Sequence, residues 1–219
     1  MEAGKLFSEQ DAALLEEIIL NRRDVRGNRF CTDKPVADEV IDKLITAALN
    51  APSVGFSQPW EFVIIKDEAV KLKVKQSFTE ENQKAVNLFE DSRQAEYNRL
   101  KLEGIIEAPV NMAVFYKPSA GPVLGQTSMS EVGQYSVVCA IQNMWLMARA
   151  LNIGMGWVSI LDPHKVKNIL RAPQQNQLIA YLCIGYVDKF LTRPELDILQ
   201  WEKRKVRDSV IFHDQYGGQ

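Results

Sequence analysis

Histidine is nearly missing from this chain. His164 and His213 are the two it has in 219 residues, so catalysis built on imidazole bases or histidine metal ligands has little to draw on. No acid or histidine pair stands at metal-ligand spacing, and no metal site is expected. Cysteine is sparse too: Cys31, Cys139 and Cys183 lie far apart. An odd total without a C-x-x-C pair argues against a disulfide framework or a structural zinc, and for reduced thiols in a cytoplasmic setting. Neither sign of charge dominates, since 26 Lys and Arg against 28 Asp and Glu leave a formal net charge of -2. Without a global basic field, nucleic acid and anionic membrane are not expected partners, and any anion site must be local. No apolar run approaches bilayer length. Residues 1–18 carry acids where a signal peptide needs a basic start, which predicts a chain neither exported nor membrane-spanning.

Phosphate-binding glycine loops are lacking as well. There is no G-x-x-x-x-G-K-[ST] run, which removes the common nucleoside triphosphate cradle. Gly154-Met155-Gly156 opens like a dinucleotide fingerprint, but Ser159 stands at the third glycine and an apolar, strand-like run follows instead of a helix. Ser159 has no G-x-S-x-G context, which disfavours a serine hydrolase.

What remains is 46% hydrophobic and 25% charged, the make-up of one globular domain spanning residues 1–219. Ala12, Leu15, Ile18 and Ile19 recur at helical spacing after Ser8, a plausible N-cap with Asp11 in the acidic first turn. Pro35 opens a second helix whose apolar face is Val36, Val40, Ile41, Leu44, Ile45 and Ala48, stopped by Asn50-Ala51-Pro52. Apolar runs at 61–66, 110–116, 154–161 and 179–187 read as strands. Residues 131–151 form a helix apolar most of the way around, and so buried on several sides. Dense Glu, Lys and Arg make 78–107 a solvated cover over an interrupted helix. Strands separated unevenly by long helices favour an α+β sheet flanked by helices over a regular βαβ repeat.

Chemistry concentrates at Arg22-Arg23-Asp24-Val25-Arg26, where the first helix gives out. Guanidinium forks suit a phosphate bidentately and stack on rings, although cations at a helix C-terminus are also favoured by the macrodipole alone. The segment Ala51-Pro52-Ser53 to Gln58-Pro59-Trp60 could edge a flat ligand or be a helix-to-strand loop plugged by Trp60. The basic run Lys203-Arg204-Lys205 with Arg207 is either a solvated face or the far side of a phosphate site. Met144, Trp145 and Met147 read as core.

The paired arginines with Arg26, the Pro52 to Trp60 loop and the late Gly156-Trp157-Val158-Ser159 strand together resemble the flavin-dependent nitroreductase superfamily. The ordered motifs at 22–26, 97–105, 107–110, 135–146, 156–160 and Pro194-Glu195-Leu196 narrow the resemblance to the 5,6-dimethylbenzimidazole synthase family, from about Asn21 to Val210. That resemblance implies a three-layer, mainly antiparallel fold in an intertwined homodimer. It also implies reduced flavin mononucleotide (FMN) consumed as substrate with molecular oxygen, giving dimethylbenzimidazole and erythrose 4-phosphate, and a separate flavin reductase as its source. Asp24 and Ser159 match the family's functionally important positions. Arg22, Arg23, Val25, Arg26 and Ile160 would contact the flavin, Arg204 would cap its phosphate, and Pro52 and Ser53 would border the ring from the partner subunit. Residues 78–107 correspond to an active-site lid, and 200–219 to a C-terminal arm. Neighbouring arginines are expected to depress the pKa of Asp24. The rivals are an FMN-dependent nitroreductase or flavin reductase using NAD(P)H, an aromatic dehalogenase of related fold, and a flavin- or corrinoid-binding module without chemistry.

Overall fold

A computed structural model describes residues 3–216; the last residues of the expected C-terminal arm, 217–219, lie outside the described residues. In chain order the elements are α1 (Glu9–Asn21), α2 (Asp38–Leu49), β1 (Trp60–Ile65), α3 (Glu68–Val86), α4 (Asp91–Tyr97), β2 (Val110–Tyr116), α5 (Val132–Ala150), β3 (Gly154–Val158), α6 (Pro163–Leu170), β4 (Gln177–Gly185) and α7 (Glu195–Ile198). The strands form one antiparallel sheet in the order β1-β2-β4-β3.

Every residue of β2 is buried, because both faces of the sheet are covered. Met112, Val114 and Tyr116 point into a core shared with Ile41 and Leu44 of α2 and Val137, Ile141 and Met144 of α5. Ala113 and Phe115 point the other way, against Val74 and Phe78 of α3 and Val166 of α6. A strand covered on both sides needs a continuous apolar run rather than alternation. Asn111 is its polar exception, and its amide donates to the Ile105 carbonyl at 2.8 Å. The three-layer α+β expectation therefore holds.

Several boundaries differ from expectation for local reasons. Pro35 lies before α2: Ala37 stays extended (φ −66°, ψ 149°) as the N-cap, which lets Val36 tuck into the core first. β3 stops at Val158, paired with Tyr181, and the chain turns away through a Leu161 N–H to Ser159 carbonyl bond of 3.0 Å. Trp60 starts β1 and is core. Ser8 and Asp11 close a reciprocal capping box on α1, yet α1 has no buried residue. Leu14, Leu15, Ile19 and Leu20 face outward. Segment 78–107 begins partway along α3 and is not a solvated cover throughout. Glu103 and Ile105 are fully buried, the acid being neutralised by Lys75 at 2.5 Å and Lys101 at 3.0 Å. Among the described residues no helix is long and apolar enough to cross a membrane.

Candidate active site

After α1 the chain turns extended at Arg22 (φ −66°, ψ 132°) and runs beside the free edge of β3. Val25 N–H donates to the Met155 carbonyl at 3.1 Å, and Asp24 pairs with Met155 as an isolated parallel bridge. Gly156 permits the approach, for a Cβ there would collide with the Val25 carbonyl oxygen. Val25 itself is buried, so its side chain serves the core and only its neighbours are presented to a ligand.

Asp24 and Arg26 close around the Trp157 peptide. Asp24 Oδ1 accepts the Trp157 N–H at 3.0 Å, Arg26 Nη1 donates to the Trp157 carbonyl at 3.0 Å, and Asp24 Oδ2 pairs with Arg26 Nη2. The Arg22 guanidinium lies 4.9 Å from the Trp145 ring centroid, a cation–π contact that holds the charge over the ring. Trp145 Nε1–H donates to the Arg23 carbonyl at 3.3 Å. Arg23 turns its donors on main-chain carbonyls instead: Leu20 and Arg22 at 2.7 Å each, Leu191 at 3.0 Å and Thr192 at 2.5 Å. It fastens the C-terminal segment to the end of α1.

These residues wall a cavity of about 330 Å³ lined by Arg22, Arg23, Asp24, Arg26, Lys101 and Arg204, with Glu195 and the apolar Ile19, Leu20, Leu102, Pro194 and Leu196. A larger hollow, about 410 Å³, lies between residues 55–59 and 116–126, but Lys117 is the one charged residue in its wall and is paired with Glu61 at 2.8 Å. The convergent polar groups belong to the arginine cavity.

Burial pushes the Asp24 pKa up, and Glu195 adds to this; Arg26, the Trp157 N–H and Arg22 oppose it without winning. Asp24 lines the cavity and keeps about a third of its side chain accessible. The expected depression by neighbouring arginines is corrected: removing a carboxylate from water outweighs their attraction. Burial also works against the Lys101 ammonium, but Glu107 and Glu103 outweigh it and hold its pKa above the ordinary value.

The expected site residues are partly gathered. Arg22, Arg23, Asp24, Arg26 and Arg204 share the cavity. Ser159 is exposed and Ile160 half-buried just past β3, and neither lines it. Pro52 and Ser53 do not line it within the chain; Ser53 Oγ accepts the Gln58 N–H at 3.1 Å. Trp145, read from sequence as core, is half-buried and forms the shelf under Arg22. Lys101 and Glu195 fall within motifs that carry the resemblance, but as single charges among many neither signals a place in the cavity wall.

Residues 19–186 match the family model described as the nitroreductase family. A 5,6-dimethylbenzimidazole synthase from Rhodospirillum rubrum is 42% identical over 207 residues, covering 94% of this chain and 97% of that protein. Two solved structures share the fold. A BluB-like flavoprotein from Clostridium difficile 630 gives a TM-score of 0.68 at 23% identity, covering 91% of this chain and 98% of its own. An oxidized iodotyrosine deiodinase bound to FMN and 3-iodo-L-tyrosine gives 0.71 at 22% identity, covering 92% and 100%. The arginine segment, the Trp145 shelf and β3 all fall within the family match. The chain belongs to the nitroreductase family and, at this identity over nearly its whole length, to the 5,6-dimethylbenzimidazole synthases within it.

Proposed function

We propose that the chain is a 5,6-dimethylbenzimidazole synthase that consumes reduced FMN and molecular oxygen. The observation that carries this reading is one half-buried carboxylate, Asp24, set among guanidinium groups in a single cavity. The donor set fits a phosphorylated, planar ligand. Arg22 and Arg204 keep fork donors available to a phosphate or ribityl chain, and the cavity is of small-ligand size. When bound, the reduced flavin supplies the electrons that oxygen accepts and the ring carbons that become dimethylbenzimidazole.

Arg22, held over Trp145, and Arg204 bind the anionic end, while Arg26 stays engaged with Asp24 and the Trp157 carbonyl and orients that carboxylate. With its pKa raised, Asp24 can take up and return a proton near the ribityl chain more readily than an ordinary aspartate. Ser159, exposed just outside the cavity wall, would offer its hydroxyl as a hydrogen-bond donor to the bound flavin. The outer part of residues 78–107, away from the buried Phe78, Glu103 and Ile105, would serve as a lid that excludes bulk water. A homodimer, with Pro52 and Ser53 of a second copy completing the ring border, is supported by the outward Leu14, Leu15 and Val138. A separate flavin reductase supplies the reduced FMN.

The test is to mix photoreduced FMN with the protein, admit oxygen, and assay dimethylbenzimidazole by mass. Recovery of all the flavin would overturn the reading, and turnover of nicotinamide with the flavin intact would establish the reductase alternative.

A further inference from the structure

Trp201 sits where segments far apart in sequence meet. Its ring packs edge-on against Phe89 (centroids 5.4 Å apart, planes at 78°) and Tyr97 (6.1 Å, 66°). The Arg93 guanidinium lies 4.1 Å from the same ring centroid, and Arg93 Nη2 donates to the Trp201 carbonyl at 3.0 Å. Phe89 and Tyr97 stack on each other at 5.2 Å. Tyr97 is buried, and its hydroxyl donates to Asn82 Oδ1 at 2.8 Å, tying the group to α3. On its own side the Trp201 main-chain N–H donates to the Leu196 carbonyl at 2.9 Å, after Gln200 has taken a left-handed backbone (φ +59°). The indole is thereby fixed relative to Pro194, Glu195 and Leu196, which wall the arginine cavity.

Arg204 follows shortly on the same strand of chain and lines that cavity, yet residues 202–206 are all exposed. Among the described residues Arg204 has no hydrogen bond or ion pair from its side chain. Arg23 anchors this segment at Leu191 and Thr192, and the next fastening toward Arg204 is Trp201. We propose that Trp201 is a positioning residue: its aromatic clasp on residues 89–97 holds Arg204 at the cavity, so the cover and the anion-binding arginine are carried as one body. Edge-to-face rings and a cation–π contact are individually modest, so the clasp rests on the three contacts acting together.

The ligand half of this inference rests on the flavin reading above, while the clasp itself does not. On the ligand-free full-length protein, Trp201→Ala should speed hydrogen exchange in both 89–97 and 196–206, with β2 and β4 as protected as before, and Trp201→Phe should restore most of it. Exchange raised in 196–206 alone would overturn the clasp. In FMN titrations Trp201→Ala and Arg204→Ala should each weaken binding about tenfold, the loss of one charge-assisted contact, and the double variant should be no weaker than either. Riboflavin, which lacks the phosphate, should bind all of them alike. Multiplying losses in the double variant would overturn action through Arg204. If the unmodified protein binds neither oxidised FMN nor, under anaerobic conditions, reduced FMN, the flavin reading falls, and the exchange result alone decides for or against the clasp.

Discussion

The carboxylate of Asp24 and the main-chain N–H of Trp157 are joined at 3.0 Å beside the free edge of the sheet, so the acid is aimed by a strand rather than by a mobile loop. Asp24→Asn keeps an oxygen acceptor for that N–H and frees Arg26 from its ion pair. FMN affinity should be retained, while dimethylbenzimidazole formation should fall about 100-fold or more, the scale of lost proton transfer. Undiminished product by mass assay would remove Asp24 from the chemistry.

The raised pKa of Asp24 gives a pH signature. Its folded form holds a proton to higher pH than the unfolded chain does, so its contribution to stability falls as pH rises through the folded pKa. Product formation that needs the carboxylate should instead fall on acidification, starting above the usual aspartate range. Rate and denaturation profiles of Asp24→Asn should lack both limbs; a rate limb that survives in the variant would belong to another group.

Ser159 is exposed, and its hydroxyl makes no hydrogen bond among the described residues. Removing it should change stability by no more than about 0.5 kcal/mol. Ser159→Ala should therefore keep its melting temperature and its FMN affinity while losing turnover. Normal turnover would leave Ser159 without a role.

Gly156→Ala tests the approach of the arginine segment to β3. The added methyl meets the Val25 carbonyl, a backbone atom that cannot rotate aside, so the cost should reach or exceed the usual overpacking range of about 1–3 kcal/mol. Urea melts and FMN titrations should worsen together, since Asp24 and Arg26 must shift with Val25. A variant with unchanged melts and affinity would show that the segment does not need this seat.

Glu103 is 2% exposed and accepts from Lys75, Lys101 and the Ile105 N–H. Burial alone would raise its pKa, but these partners prevail and hold it low. Its stabilisation is thus present above its unfolded value, about 4.3, and is lost as pH falls through the folded pKa. Glu103→Gln should cost about 1–3 kcal/mol at neutral pH, a gap from the parent that closes on acidification. A pH-independent gap in urea melts would point to packing instead.

Local features were legible in the sequence, and long-range ones were not. Ser8 and Asp11 are close enough to announce their own capping box, and 110–116 announces its burial by having almost no polar residue. The destination of Arg23 was unreadable, because Leu191 and Thr192 are 168 and 169 positions away. Composition shows the charges around Asp24 but not the water it loses, which is why the sign of its pKa shift came out reversed. Residues 103–105 carry an acid and so read as surface, although two lysines make its burial tolerable. Trp145 follows the helical apolar stripe faithfully, and nothing in that stripe says that Arg22 will lie on its face.

Arg23 offers most of its donors to carbonyls at two ends of the chain, yet its charge stays at the cavity wall. Such a residue attracts an anion without competing to grip it, acting as a fixed electrode while Arg22 and Arg204 act as hands. Lysine in its place would preserve the field and drop the fastening, because one ammonium cannot span carbonyls of two segments. Attraction and architecture could then be separated by a single substitution.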